Sequence, residues 1–422
     1  MKLPKVFYGW WIVCATFFIA LYTAGIVFFG FTAVFEPIAN EFGWSHAQVS
    51  LAASLRGLEM GLLAPITGFL ADRRGPRRLV FFGVVITVLG LVLLSQTTSL
   101  AMFYGSFALT ALGISACTAT VMLTAVVNWF QRNVGIATGI ATSGFGFGGL
   151  LIPLVVGVVD TQGWRTAILI FGLGFLAIGI PLSFLFRDKP ERYGYSLDGD
   201  AKYPKEKTGD SVQPPASNTE IGTSTAIRSR AFWHIALSSF IAAMYGSAVI
   251  THVMPYLSSI NIARSVSAVV ATAVPLVSIL GRLGLGWTSD RFNKRLAASA
   301  AYVVAGIGLL CFDYISTTAS WPLILFVICF GIGWGGANVV RPALVRESFG
   351  RNRFGTIHGV VVGMIMPGTI VGAFIPGWVY DNQGSYNNIW LIGAGITAVA
   401  SFIIGTTPYT HRNASSTEQP VL

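Results

Sequence analysis

Arg282 stands eight residues before Asp290 in an otherwise apolar run, His252 lies three residues before Pro255 in another, and Arg56 and Glu59 share a third at i, i+3 spacing. A charge inside hydrocarbon costs about 2.5–3.5 kcal/mol or more, so a retained one marks a functional candidate. At about 1.5 Å of helix rise per residue, Arg282 lies about 12 Å inside the end marked by Asp290. A guanidinium there can hold a carboxylate through two parallel hydrogen bonds, a geometry an ammonium cannot copy. The alternative is that Arg282 belongs to the neighbouring loop and pairs with helix carbonyls. His252 can donate to a hydroxyl or carboxylate, or titrate; a histidine hydrogen-bonded inside a helix bundle fits the sequence equally. Pro255 predicts an irregular helix, which at membrane depth is tolerated chiefly beside a cavity. Tyr245, seven residues before His252 and so two turns away, faces a similar side. Arg56 and Glu59 can neutralise each other, as a structural or outer-gate pair or with Glu59 as a protonation site. Asn338, Thr118 and Thr120 are candidates to line a cavity, although cross-helix hydrogen bonds explain them as well.

The elements that must position these groups follow from composition. Of 422 residues, 54% are hydrophobic and only 10% charged, too greasy and charge-poor for a soluble chain. Runs of roughly 20 apolar residues, each able to cross a bilayer, predict spans at 7–36, 46–71, 78–97, 100–128, 134–159, 164–186, 231–259, 265–289, 296–316, 320–345, 355–380 and 387–407. The first run is too long for a cleaved signal and reads as the first span. The fold class is therefore an all-α membrane protein with twelve transmembrane helices. Cys14, Cys117, Cys311 and Cys329 all lie in apolar runs without ligand spacing and behave as small hydrophobes.

Lys and Arg concentrate on one side: Arg73, Arg74, Arg77, Arg78, Arg132, Arg291, Lys294, Arg295, Arg346, Arg351, Arg353 and the long polar stretch at 187–230. Arg165 and Arg264 lie on the other. That bias places both termini in the cytoplasm of a multi-pass protein of the cell (inner) membrane. The net charge of +10 is explained by topology and anionic lipid heads, and nucleic acid is not an expected partner. The polar stretch splits the helices six and six: an N-terminal bundle at 1–186, a cytoplasmic linker at 187–230 and a C-terminal bundle at 231–422. The halves repeat. Asp72-Arg73 after the second span matches Asp290-Arg291 after the eighth; Phe130, Arg132, Asn133, Gly135 and Gly139 are echoed by Phe349, Arg351, Asn352, Gly355 and Gly359; Asp160, Gln162 and Gly163 by Asp381, Gln383 and Gly384. Three anchors in the same order make two parallel copies.

Twelve spans as six plus six, with Gly68, Asp72, Arg73, Gly75, Arg77 and Arg78 in the loop after the second and a weaker copy after the eighth, resemble the major facilitator superfamily over the whole chain. The resemblance implies two pseudo-symmetric six-helix bundles and a conformational latch at Asp72, Arg73, Arg77, Asp290 and Arg291. There Asp72 accepts hydrogen bonds from a helix N-terminus of the facing half, holding the outward-open state. Tyr8-Gly9-Trp10-Trp11, the run from Trp129-Phe130 to Gly144, and Arg187-Asp188 with Pro190, Glu191 and Gly194 are similar to the bacterial monocarboxylate transporter and oxalate/formate antiporter group. In that group an arginine on the eighth helix engages the substrate carboxylate, and Arg282 matches it. Two departures matter. The animal members' first-helix lysine aligns with Phe28, and their aspartate one turn before the arginine aligns with Ser278, so their proton route does not carry over.

The eleventh span, from Val361 to Ile375, has no cation such as oxalate exchangers carry, and one central cation suits one carboxylate. The expected function is proton-coupled secondary transport, by alternating access, of a small monocarboxylate, lactate- or pyruvate-like or aromatic. Its site residues would be Arg282, His252, Tyr245, Asn338, Thr118 and Phe28, with Glu59, Arg56 and His252 for coupling or gating. Oxalate/formate-type dicarboxylate exchange is the alternative, and drug efflux a weaker one, since the glycine-rich run from Gly144 to Gly149 lacks the proline of many exporters. An enzyme would need a convergent nucleophile, base or metal set, and five histidines without paired spacing offer none. No cofactor or metal is expected, and the chain is expected to act as a monomer.

Overall fold

A computed structural model describes residues 7–44, 46–117, 119–199, 222–315, 321–386 and 388–408, without the side chains of 32, 36, 46–47, 50–60, 119, 199, 264–265, 268 and 381. Twelve helical crossings follow one another. α1 runs through Gly9–Tyr22, a π-helical stretch Thr23–Phe29 and Phe31–Phe42; α2 is His46–Arg74; α3 Pro76–Ser95; α4 Leu100–Trp129; α5 Val134–Gln162 with a 3-10 stretch Gly148–Leu151; α6 Trp164–Leu185. α7 is Arg230–Ser259, α8 Arg264–Arg291, α9 Lys294–Asp313, α10 Trp321–Phe349, α11 Phe354–Gln383 and α12 Ile389–Gly405. Ten described helices are long and apolar enough to span a membrane, and Ile389–Gly405 is a shorter apolar one. Their outward faces carry exposed leucines, isoleucines and phenylalanines such as Leu62, Phe82, Ile324 and Phe402, as lipid contact requires.

The irregularity expected at Pro255 is not there. α7 runs unbroken through it, because neighbouring helices can re-satisfy the one backbone group a proline frees. The broken helix is instead α1, where Gly30 N–H donates to Gly25 O at 2.8 Å across a π turn and places Phe28 inside the distorted segment.

The two halves meet most closely through α2 with α11 and α5 with α8. Gly68 lies on the Gly355 backbone and Gly135 on the Gly286 backbone, each so close that a Cβ would collide with a carbonyl. Small residues at helix crossings let backbones approach in this way. The Asp72 carboxylate accepts from Gly355 N–H (2.9 Å), Thr356 N–H (2.7 Å) and the Thr356 hydroxyl (2.7 Å). The Asp290 carboxylate accepts from Gly135 N–H (2.6 Å) and Ile136 N–H (2.7 Å). Each carboxylate thus caps the N-terminal turn of a helix in the other half, where amide donors lack intrahelical acceptors. The protein is closed at the end that carries these motif loops.

The polar stretch after α6 begins as folded structure. Arg187 sits over the Tyr8 and Tyr193 rings at 3.9 and 4.6 Å, and Trp129 Nε1 donates to its carbonyl at 3.1 Å. Asp198 accepts from Gln131 and Arg132 N–H at 2.9 and 2.8 Å. Lys189 donates to Asn352 at 2.9 Å, and Glu191 pairs with Arg351. Residues 187–198 therefore strap the two halves together across the motif-loop end. Gly75, at φ 81°, makes room for the strap: a Cβ there would lie 2.5 Å from the Asp188 carboxylate.

Candidate functional site

A cavity of about 120 Å³ opens between the halves, walled by Phe29 of α1, Phe145 of α5, Val253 of α7, Ser278 and Arg282 of α8 and Trp334 of α10. Its lining is apolar apart from Arg282 and Ser278, and the Ser278 hydroxyl is committed to the Pro275 carbonyl at 2.6 Å. Arg282 is 6% exposed. Its guanidinium donates to the Thr142 carbonyl of α5, and its Nε has no protein partner. Gly139, one turn earlier on α5, lies against the Arg282 backbone, which explains the reach across the halves. A polar-headed, apolar-walled pocket of this kind suits a small anion with a hydrocarbon body. The guanidinium keeps unused donor capacity toward it.

The remaining sequence candidates divide. Phe28 stacks edgewise on Phe145, centroids 5.3 Å apart, so it adjoins the cavity through a wall residue. Asn338 donates from Nδ2 to the Trp334 carbonyl at 2.9 Å, and its Oδ1 accepts from Arg341 at 3.4 Å. His252 is held on both ring nitrogens, Nε2 to the Ala373 carbonyl at 2.8 Å and Nδ1 to the Tyr386 hydroxyl at 3.2 Å. A carbonyl only accepts, so Nε2 carries the proton and Nδ1 accepts from tyrosine. His252 thus ties α7 to α11 and the turn before α12. Tyr245 faces the interior of the C-terminal half, against Phe330 and Tyr302 at 5.7 and 6.5 Å, with its hydroxyl unpartnered. Thr118 lies outside the described residues, as do the side chains of Arg56 and Glu59. Arg73, Arg77 and Arg291 lie over Phe69, Phe184 and Trp287 at 5.5, 5.0 and 4.4 Å, apart from the two carboxylate contacts.

A second cation inside a span, Arg341 of α10, stands outside the cavity lining, in which Arg282 is the one cation. The Arg341 Nε is enclosed without a partner, no carboxylate pairs with Arg341 among the described residues, and it lies within electrostatic reach of Tyr245, Tyr302 and His358. His358 is fully buried, stacked on Phe354, with both ring nitrogens lacking protein partners. Arg341 already falls inside the predicted tenth span, 320–345, four residues from its end, and is not among the sequence candidates. The helix continues to Phe349, and Arg341 lies eight residues inside it. The rule that selects Arg282, an unpaired charge in a span, selects Arg341 as well.

At the motif-loop end a polar vestibule of about 330 Å³ is lined by Gln131, Lys294, Arg346, Glu347 and Arg351. Lys294 pairs with Glu347 at 3.0 Å, and Arg346 reaches across the halves to the Val127 carbonyl. At the opposite end Glu41 pairs with Arg165 and accepts from Trp164 Nε1 at 2.6 Å. Arg165 also donates to the Thr97 carbonyl at 2.9 Å. These bonds from Arg165 and Trp164 hold the Glu41 carboxyl below its ordinary pKa.

Among known proteins, the chain is similar to Monocarboxylate transporter 12 of Xenopus laevis, 25% identical over 425 residues, covering 97% of this chain and 90% of that protein. It is also similar to the Oxalate:formate antiporter of Oxalobacter formigenes, 23% identical over 376 residues, covering 89% and 85%. In three dimensions it overlays the proton:xylose symporter XylE with a TM-score of 0.74 at 14% identity, covering 96% of each chain. The family model described as Major Facilitator Superfamily matches residues 12–366 and again 236–421. With twelve crossings, paired carboxylate-to-helix caps and that match along nearly its full length, the chain belongs to the Major Facilitator Superfamily.

Proposed function

We propose that the chain is a secondary transporter of small organic acids, with Arg282 as the carboxylate ligand and a proton as the co-ion. The observation that carries this reading is one guanidinium with spare donors in an otherwise apolar cavity between the halves. The names of the monocarboxylate and oxalate/formate relatives agree with a carboxylate cargo. The bundles at 1–186 and 231–422 rock about this site, joined by 187–230. The Lys and Arg bias makes the motif-loop end cytoplasmic.

The geometry suggests how binding drives rocking. Arg282 spends one donor on the Thr142 carbonyl of the other half. A carboxylate is the stronger acceptor, since hydrogen bonds to charged groups contribute about 1.5–3 kcal/mol against about 1 for neutral ones. An arriving anion therefore takes the donor, and one bond that keeps the halves closed is exchanged for one to substrate. A neutral cargo cannot do this as well. Protonation of the couple is proposed to occur on the substrate or on Glu59; His252, bonded on both nitrogens, is the weaker candidate.

The test is uptake of labelled lactate, pyruvate, benzoate and oxalate into proteoliposomes, with and without an inward-acid gradient, for native protein and Arg282→Ala. Gradient-stimulated monocarboxylate uptake that the substitution abolishes is expected. Uptake indifferent to Arg282 would sink the carboxylate site, and uptake indifferent to the gradient would remove the proton.

A further inference from the structure

We infer that Arg341, with Tyr245 and His358, forms a second carboxylate-binding station on the path between the Arg282 cavity and the motif-loop end; this rests on the organic-acid reading above. Three observations converge. Packed helices α7, α10 and α11 of the C-terminal half each hold polar atoms without protein partners, the Tyr245 hydroxyl, Arg341 Nε and both His358 ring nitrogens, and α7 meets α10 through Tyr245 on Phe330 and Gly246 on Trp334. Buried polar groups in folded proteins are almost always bonded, so a cluster of unmet groups around an unpaired guanidinium fits an anion that visits. Arg341 retains partial exposure although its Nε is enclosed.

The second observation is position. Trp334, Asn338 and Arg341 follow i, i+4, i+7 and form one stripe along α10. Trp334 walls the Arg282 cavity, Asn338 bonds both Trp334 and Arg341, and Arg346, further along, lines the vestibule. By helix rise, Arg341 lies about 10 Å beyond Trp334 and about 7.5 Å before Arg346. The third is the register of α8 on α10. Gly286 packs beside Val339, which puts Arg341 nearer the motif-loop end than Arg282 by about 9 Å. The two arginines therefore stand at different depths, and an acid moving toward the motif-loop end meets Arg282 before Arg341.

An anion freed from Arg282 would otherwise cross this stretch of bundle interior without a counter-charge. A guanidinium midway, with two neutral donors, lowers that barrier while leaving the cavity site unchanged. The station accordingly sets affinity on one side of the membrane only.

The experiment compares uptake by right-side-out and inverted membrane vesicles holding the full-length protein, with labelled pyruvate as the probe. Arg341→Gln is expected to raise KM in inverted vesicles about 10-fold or more, the loss of a charge-assisted hydrogen bond, and to leave KM in right-side-out vesicles unchanged. Equal effects on both sides, or on neither, would overturn the station. Arg282→Gln is expected to raise KM on both sides; if it moves neither, the carboxylate reading fails whatever Arg341 does. Should Arg341→Gln not reach the membrane, Tyr245→Phe takes its place, because it removes only a hydroxyl with no partner. It should give the same one-sided rise, about threefold, and a symmetric change or none would count against the station.

Discussion

Among the described side chains, which leave out 50–60 with Arg56 and Glu59, residues 9–185 bury hydroxyls and a single carboxamide, from Thr16 through Asn128 to Ser183, whereas residues 230–405 also bury His252, Arg282, Arg295 and His358. The described hydroxyls of the first half mostly turn back on their own helices: Thr67 to Leu63, Thr87 to Gly83, Thr110 to Ser106 and Thr138 to Val134. Such groups are satisfied before any ligand arrives. Unpartnered polar atoms occur in both halves, but in the first they are the neutral oxygens of Thr23 and Asn128, whereas in the second they include the donors of Arg282, Arg341, Tyr245 and His358. Two copies of one helix plan have diverged in chemistry. Among the described side chains at the cavity, the first half offers Phe29 and Phe145 and the Thr142 carbonyl, and the second holds the Arg282 guanidinium.

The sharpest way to break this contrast is at Arg282. Arg282→Gln should reduce uptake of a labelled monocarboxylate by about 10- to 100-fold, the worth of one charge-assisted hydrogen bond; a drop under threefold would return recognition to the first half. Next come the carboxylates that couple the halves. Asp72→Asn or Asp290→Asn replaces a charged acceptor by a neutral one and should cut the closed population about tenfold per site. Labelling of single cysteines placed in the vestibule would rise accordingly, and unchanged labelling would show that glycine packing alone holds the closure.

Smaller effects test the residues that are already satisfied. His252→Gln keeps one donor and one acceptor, so uptake should stay within about threefold while melting of the purified protein falls by about 1 kcal/mol of stability. Loss of gradient-driven uptake in that variant would give His252 a chemical role instead. Glu41→Gln should have the least effect, about 0.5 kcal/mol for a half-exposed pair. Its pH dependence has a definite sign. Because the folded-state pKa of Glu41 is depressed, its stabilisation is full above the ordinary carboxylate range and disappears as pH falls through the lowered value. Melting of native protein and Glu41→Gln should therefore converge on acidification and differ at neutral pH.

Much of the architecture was legible because membrane spans announce themselves by length and hydropathy, and because repeated loops such as Asp72-Arg73 and Asp290-Arg291 survive in both halves. Arg282 was legible for the same reason, as a charge standing far from any span end. Arg341 was less so: it falls inside the predicted span but only four residues from its expected end, beside Arg346, whereas the helix runs on to Phe349 and sets it eight residues deep. Tyr245 and His252 lie two turns apart on α7, yet the residues packed around them differ. One faces Tyr302 and Phe330, the other Tyr386 and Ala373. Helical spacing gives direction from the axis, and which neighbouring helix waits there is tertiary information. The fold of residues 187–198 was hidden as well. A polar, proline- and glycine-containing segment reads as a linker, and only its partners, Gln131, Arg132, Arg351 and Asn352, make it a strap.

Asp72 and Asp290 grip main-chain N–H groups, not cationic side chains. Every residue but proline offers that amide, so the grip itself asks for no particular side chain; it is the close packing that demands glycine at 135 and 355, where a Cβ would collide with the facing backbone. The grip is also insulated from ionic strength. Mobile ions screen exposed opposite charges over about 8 Å at physiological salt, but do little to a half-buried carboxylate in contact with aligned amide dipoles. The Glu191 to Arg351 pair of the strap is less sheltered, with Glu191 47% exposed. A rise in salt would thus slacken the strap and leave the carboxylate grips in place, giving one closure that is constant and another that adjusts to its surroundings.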